Sequence, residues 1–112
     1  MTYTIIHNPN CSTSRKGLAL LEEKGVTFVA RKYMNPTSQL SIEELKDIAA
    51  KMGNVSPRVF LRDREKEVPD AASDEEVYAA MASNPKLIQR PIGLYGNKAV
   101  LGRPFENLLD IL

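Results

Sequence analysis

The apolar positions of this chain fall into short blocks whose spacing changes along the sequence, and the polar residues between them mark where each block starts and stops. Residues 3–6, Tyr-Thr-Ile-Ile, form a β-prone run that ends at the turn-forming His7-Asn8-Pro9-Asn10. From about Thr13 the spacing becomes helical. Leu18 and Leu21 fall on successive turns, Ala19 and Leu20 fill the apolar side, and Gly25 supplies the left-handed residue that closes a helix. Residues 26–33 predict a second strand, and Asn35-Pro36-Thr37-Ser38 breaks the chain again.

Ser41 followed by Glu44 is a capping box, and Leu45, Ile48, Ala49 and Met52 continue it at helical spacing up to Gly53. Ser56-Pro57 opens a short helix through Val59, Phe60 and Leu61. Asp63 to Ala72 is charged, contains Pro69 and predicts a loop. Ser73 and Glu76 form a second capping box for a helix with Val77, Ala80 and Met81 inward. Beyond Asn84-Pro85 a short apolar stretch leads to Arg90-Pro91, and residues 92–95 and 98–101 then flank Gly96-Asn97 as a hairpin. Pro104 opens a last amphipathic helix with Phe105, Leu108, Leu109 and Leu112 on its apolar face. The order βαβ, two or three helices, then ββα predicts an α/β protein with a mixed thioredoxin-like sheet. The helices of residues 40–85 are then an insertion between its two halves. With no repeat and no long linker, residues 1–112 are expected to form a single domain.

Composition narrows the functional classes. With 112 residues, 43% of them hydrophobic and 26% charged, the chain can bury a core without help from disulfides or metals. Its 15 basic and 14 acidic residues nearly cancel to +1, which argues against a nucleic-acid or anionic-membrane partner. No apolar run approaches the ~20 residues of a membrane span. The opening MTYTIIHNPN lacks the basic flank and apolar stretch of a secretory signal, so a cytoplasmic protein is expected. One cysteine excludes an internal disulfide and a multi-cysteine metal site, and no metal centre is expected. Any redox chemistry at Cys11 must therefore borrow its second thiol from another molecule.

A lone cysteine is commonly a small buried hydrophobe. Cys11, however, lies in the polar, turn-forming Pro9-Asn10-Cys11-Ser12, directly before a helix. Unpaired N–H groups at that helix start, together with Arg15 and Lys16, favour a thiolate and also cradle an oxyanion. A C-x5-R phosphatase loop is absent, because Gly17 stands where its arginine belongs. A C-x-x-C dithiol is absent, because Ser14 stands where the second cysteine belongs. The single histidine, His7, is poorly placed to act as the base of a cysteine protease. What remains is one thiolate beside an anion-binding helix start.

The string His7-Asn8-Pro9-x-Cys11-x-x-Ser14-Arg15 closely resembles the active-site segment of the glutaredoxin-coupled arsenate reductase family, including its housekeeping relatives of unassigned substrate. Tyr33 with Asn35-Pro36, Leu61-Arg62, Arg90-Pro91-Ile92 and Gly102-Arg103-Pro104 continue the likeness in order, over essentially the whole chain. The resemblance implies a thioredoxin-like fold, with Cys11 as the nucleophile that attacks arsenic. It casts Arg62, Arg90 and Arg103 as the arginines around the oxyanion, Ser14 as support for the thiolate, and His7 as an influence on its ionisation. It also implies a cis bond at Arg90-Pro91, no bound cofactor, and glutathione as co-substrate with glutaredoxin as partner. The segment from Asp63 to Ser73 departs from the family in being shorter and lacking its usual tyrosine and leucines, which leaves the local shape of the insertion open.

Each residue also has a plainer reading. Arg90 and Arg103 precede prolines at element boundaries, where arginines often only solvate the surface, and Arg15, Arg58 and Arg64 read as surface or supporting charges. Pro91 fits an ordinary trans turn, and His7 a polar turn residue bonded to backbone. The same anion pocket also serves a glutathione-dependent reductase of another oxyanion or of a mixed disulfide. A non-catalytic thioredoxin-fold adaptor is the third alternative, although dithiol regulators of that fold usually show the C-x-x-C that Ser14 interrupts.

Overall fold

In a computed structural model that describes residues 1–112, four strands form one mixed sheet. β1 (Tyr3–Ile6) pairs in parallel with β2 (Phe28–Arg31) and antiparallel with β3 (Ile92–Tyr95), which turns back into β4 (Lys98–Leu101). The spatial order is β2-β1-β3-β4. A parallel pair needs a crossover, and α1 (Ser12–Glu23) provides it. Alternation along β1 sends Tyr3 and Ile5 to one face of the sheet and Ile6 to the other, which creates two cores. On the first face Tyr3 and Ile5 meet Leu21 of α1 and Leu108 and Ile111 of the C-terminal segment. On the second, Ile6, Ile92 and Ala99 meet α2 (Ile42–Lys51) and α3 (Asp74–Ser83) through Leu45, Ile48, Val77 and Met81. This is the thioredoxin-like α/β arrangement expected from the element order, with the additional helices lying between β2 and β3. No helix is long and apolar enough to cross a membrane.

The helix boundaries follow the sequence signals. In α2, Ser41 Oγ accepts the Glu44 N–H and the Glu44 carboxylate accepts the Ser41 N–H, both at 3.1 Å. α3 repeats the box with Ser73 and Glu76. At the end of α1, Gly25 has φ +69°, with its N–H on the Glu22 carbonyl and that of Val26 on the Leu21 carbonyl, a Schellman stop.

Three expectations need correction. The second strand spans Phe28–Arg31 rather than 26–33, because Val26 is spent closing α1 and the chain turns where the Tyr33 N–H bonds the Arg31 carbonyl. Ala19 is exposed, since α1 buries the stripe Ser14, Gly17 and Leu21. Ala80 packs half-buried against the core as expected, and Tyr78 beside Val77, which the helical spacing does not single out, is buried in that core as well. The last helix is a 3-10 helix (Phe105–Ile111), whose three-residue period brings Leu108 and Ile111 inward and leaves Leu112 exposed.

The shortened segment after Leu61 has a defined shape. The Arg62 N–H bonds the Leu87 carbonyl at 2.7 Å and the Gln89 N–H bonds the Phe60 carbonyl at 2.8 Å, zipping residues 60–62 against 87–89. Both Asp63 carboxylate oxygens accept backbone N–H groups, from Glu67 and Val68. Arg58 gathers the carbonyls of Pro69, Asp70 and Ala72 and so serves this loop.

Candidate active site

The end of β1 delivers the chain to Cys11 through a turn that uses its own polar groups. The His7 N–H extends the parallel ladder to the Arg31 carbonyl, and the Asn8 side chain accepts the Asn10 N–H at 3.0 Å. Cys11 then occupies the N-cap of α1 with extended backbone (φ −104°, ψ 124°), and the Arg15 N–H bonds its carbonyl. No side-chain hydrogen bond caps this helix, and no acidic residue lies in its first turn. The sulfur therefore stands where a capping oxygen normally stands, facing a partial positive charge that nothing nearby neutralises.

Beneath the turn, Ser14 is fully buried and makes two contacts. Its Oγ accepts the Asn8 N–H at 3.0 Å and lies 2.7 Å from His7 Nδ1. Burial, followed by the charges of Lys32 and Arg15, holds the His7 imidazole below its ordinary pKa and so favours the neutral ring. His7 thus touches the turn through Ser14. Arg15 donates to the Pro9 carbonyl at 2.9 Å and clasps the same turn from outside.

The opposite wall comes from the sheet and the insertion. Arg103 follows β4; its Nε donates to the Arg90 carbonyl at 2.9 Å and its Nη2 lies 3.7 Å from Cys11 Sγ. Arg90 is buried at 9% exposure, and its Nε has no hydrogen-bond partner. Pro91 behind it is cis, as is Pro104 behind Arg103. Arg62 arrives from the strand-like zipper with residues 87–89. Burial and the nearby charges of Arg90, Arg64 and Arg103 make its charged form less favourable, while Cys11 acts in the opposite sense. The structure therefore brings Arg62, Arg90 and Arg103 together around one sulfur.

None of these guanidinium groups is neutralised by the protein. The ion pairs of the chain are Arg31–Glu44, Lys46–Glu75 and Lys51–Asp47, all of them on α2. Their effect on the sulfur is direct. Burial alone would push the Cys11 thiol up, but the Ser14 N–H, the Arg90 guanidinium and the Thr13 N–H outweigh it and hold the thiol below the usual cysteine value.

Tyr33 is the residue that local sequence signals did not single out for chemistry. It is fully buried beneath the arginines, and its hydroxyl donates to the Ile88 carbonyl at 3.3 Å. Burial raises its pKa, against the opposing pull of Arg90, and the Cys11 charge adds to the rise, which places the ring at the floor of the site. Arg64 lines, together with Arg62, a cleft between the turn after Arg62 and the segment around Lys86. Neither residue carries a spacing or capping signal. Tyr33 is visible in the sequence only within the family likeness.

Close packing of small residues holds the Arg90-Pro91 segment in place. The Gly102 N–H bonds the Pro91 carbonyl at 2.8 Å, and a Cβ on Gly102 would sit 2.8 Å from Pro91 Cγ and 3.0 Å from Leu108.

The ArsC family model matches residues 6–111. An arsenate reductase of Haemophilus influenzae is 38% identical to the chain, with all of both sequences covered. One of Neisseria meningitidis is 40% identical over 96% of each sequence. The solved structure of an arsenate reductase from Vibrio cholerae superposes with a TM-score of 0.90 at 40% identity, covering 100% of this chain and 98% of that one.

Proposed function

The chain belongs to the ArsC family, and from that membership we propose that it is an arsenate reductase in which the Cys11 thiolate attacks arsenate held by Arg62, Arg90 and Arg103. The observation that carries this reading is the convergence of three guanidinium groups without carboxylate partners on one half-buried thiol at a helix start. Arsenate is an anion at neutral pH, so a thiolate approaching it meets like charge. Planar arginine forks remain ionised at any working pH and bind oxyanions two bonds at a time, which removes that repulsion. The helix start and Arg90 favour the thiolate form of the sulfur, and its attack on arsenic displaces hydroxide to leave a Cys11–S–As(V) adduct.

Reduction then needs two electrons from outside, because the chain holds no second thiol. In this reading a glutathione thiolate attacks the Cys11 sulfur. The S–S bond forms as the S–As bond breaks, and the bonding pair passes to arsenic, which departs as arsenite. The product is Cys11 joined to glutathione. A glutaredoxin thiolate next attacks the glutathionyl sulfur and releases the Cys11 thiolate for another turnover. Ser14 and His7 hold the turn that presents the sulfur, and Arg15 fastens it from the surface.

The test is arsenate-dependent turnover with glutathione and glutaredoxin supplied. Turnover that disappears in Cys11→Ser supports the reading, and turnover that survives the substitution refutes it. An intact protein that is readily glutathionylated but leaves arsenate unreduced transfers the site to another oxyanion or to a mixed disulfide.

A further inference from the structure

We propose that Tyr33 is a positioning residue of the arsenate site, its buried hydroxyl setting the Arg90 guanidinium toward the anion; this rests on the reading of the chain as an arsenate reductase. Tyr33 follows β2 and is fully buried, and its hydroxyl donates to the Ile88 carbonyl at 3.3 Å. Ile88 is the centre of the short pairing that brings the arginines in. It bridges to Leu61, with the Arg62 N–H on the Leu87 carbonyl to one side and the Gln89 N–H on the Phe60 carbonyl to the other. Arg62 is the residue after Leu61, and Arg90 is the second residue after Ile88. One hydroxyl therefore grips the junction from which two of the three arginines depart.

The chemistry of the two side chains fixes the direction of their contact. A guanidinium carries donors only, whereas a phenolic oxygen can accept while its own proton is given elsewhere. The Tyr33 proton goes to Ile88, so the lone pairs of its oxygen remain for Arg90. Burial raises the Tyr33 pKa. Arg90 opposes that rise through its charge and as a hydrogen-bond partner, and Arg62 acts more weakly in the same sense, so Arg90 stands next to the oxygen. Arg90 needs such a partner. It is buried, its Nε is unpartnered, and it joins none of the ion pairs. Arg103 Nε holds the Arg90 carbonyl at 2.9 Å, but that bond leaves the side chain unset. A carboxylate in the place of the phenol would orient the fork and also cancel its charge, competing with arsenate. A neutral hydroxyl orients the fork and leaves the full positive charge to the anion.

Tyr3 supplies a matched control. It is as deeply buried as Tyr33, and its hydroxyl also donates to a backbone carbonyl, that of Leu108 at 2.7 Å, but it lies in the other core. Binding is read without turnover, as the arsenate concentration that protects Cys11 from iodoacetamide when no reducing thiol is present. Tyr33→Phe should raise that concentration roughly 3- to 10-fold, the size of one hydrogen bond. Tyr3→Phe should leave it within about twofold, as expected of a site that shares no partner with the arginines, although both variants unfold at lower urea. In an Arg90→Met background, Tyr33→Phe should add nothing to the loss, because the group through which it acts is gone. A concentration unchanged by Tyr33→Phe, matched by Tyr3→Phe, or raised equally with and without Arg90 assigns Tyr33 to stability alone and overturns the proposal. If arsenate does not protect the starting protein, the arsenate reading falls instead, and the pH midpoint of alkylation judges the role of Tyr33. An upward shift in Tyr33→Phe but not in Tyr3→Phe then upholds it, since a displaced Arg90 no longer favours the thiolate, and an unmoved midpoint overturns it.

Discussion

Three α-helices of this molecule begin in two different ways. α2 and α3 each start on a serine whose hydroxyl and partner glutamate satisfy the free backbone N–H groups reciprocally, with further acidic residues in the first turn. α1 starts on Cys11, with no side-chain cap and no acid in its first turn. The closed starts put their electrostatics into stability, and the chemistry is spent within four residues. The open start leaves its positive end to whatever anion the sulfur becomes or binds, with Arg90 and Arg103 adding charge from distant parts of the chain. A reactive site here is a helix N-terminus that has been left unfinished.

The strongest way to break that contrast is to close α1. Cys11→Ser places at its start the residue type that caps α2 and α3, and turnover should fall to background because no nucleophile remains. Stability should move the other way, with a gain of about 1 kcal/mol from the new cap, seen as a higher urea midpoint. The sign depends on pH. The folded thiol has a pKa below its unfolded value. Its charged form therefore supports the fold fully above the unfolded pKa, and that support fades as pH falls through the folded one. The gain from serine should accordingly be largest on the acid side. A midpoint that falls at acidic pH would show that α1 is not open in the sense described.

Next in size is the charge around the sulfur. Arg90→Met should move the pH midpoint of iodoacetamide alkylation upward, toward the free-thiol value of ~8.5. It should also raise the KM for arsenate by roughly 10- to 100-fold, the range expected for losing a charged hydrogen-bonding partner. An unmoved alkylation midpoint would assign the lowered thiol pKa to the helix start alone.

The same contrast explains what the sequence discloses. The capping boxes, the Gly25 stop, the hairpin and the position of Cys11 before a helix are local, written in hydrogen bonds that close within a few residues, and they were legible. The arginine cluster is different. Arg62 reaches the site only because residues 60–62 zip against 87–89, and that pairing has neither periodicity nor turn chemistry to announce it. The arginines could be named from the family likeness, but their convergence depends on the sheet order. Tyr33 is named only by that likeness, and the cleft with Arg64 and Lys86 by nothing in the sequence, for the same reason. The 3-10 form of the last helix was missed because Leu108, Leu109 and Leu112 also fit an α-helical period, and packing against Tyr3 and Ile5 decided between them.

A smaller effect is expected where the sheet supports the site. Gly102→Ala adds a methyl that meets Pro91 and Leu108 at 2.8 and 3.0 Å, so something must shift. The loss should be about 1–3 kcal/mol, as for other overpacked sites, with a rise in arsenate KM because the displaced Pro91 carries Arg90 with it. A stability loss at unchanged KM would mean that Arg90 is positioned from its other side, through Arg103.

The smallest effect should come from opening a closed start. Ser73→Ala removes the hydroxyl that accepts the Glu76 N–H and that also helps lower the Glu76 pKa, while the backbone N–H at position 73, the chief cause of that lowering, stays in place. Stability should drop by about 1 kcal/mol, or about 4 °C in Tm for a chain of this size. Because the folded Glu76 pKa is lowered, part of that loss should vanish as pH falls below the unfolded glutamate value of ~4.3. Alkylation of Cys11 and its pH midpoint should not change, since α3 reaches the site only through the second core. If the thiol responds to Ser73→Ala, the insertion tunes the sulfur through Arg62, and the two kinds of helix start are coupled rather than independent.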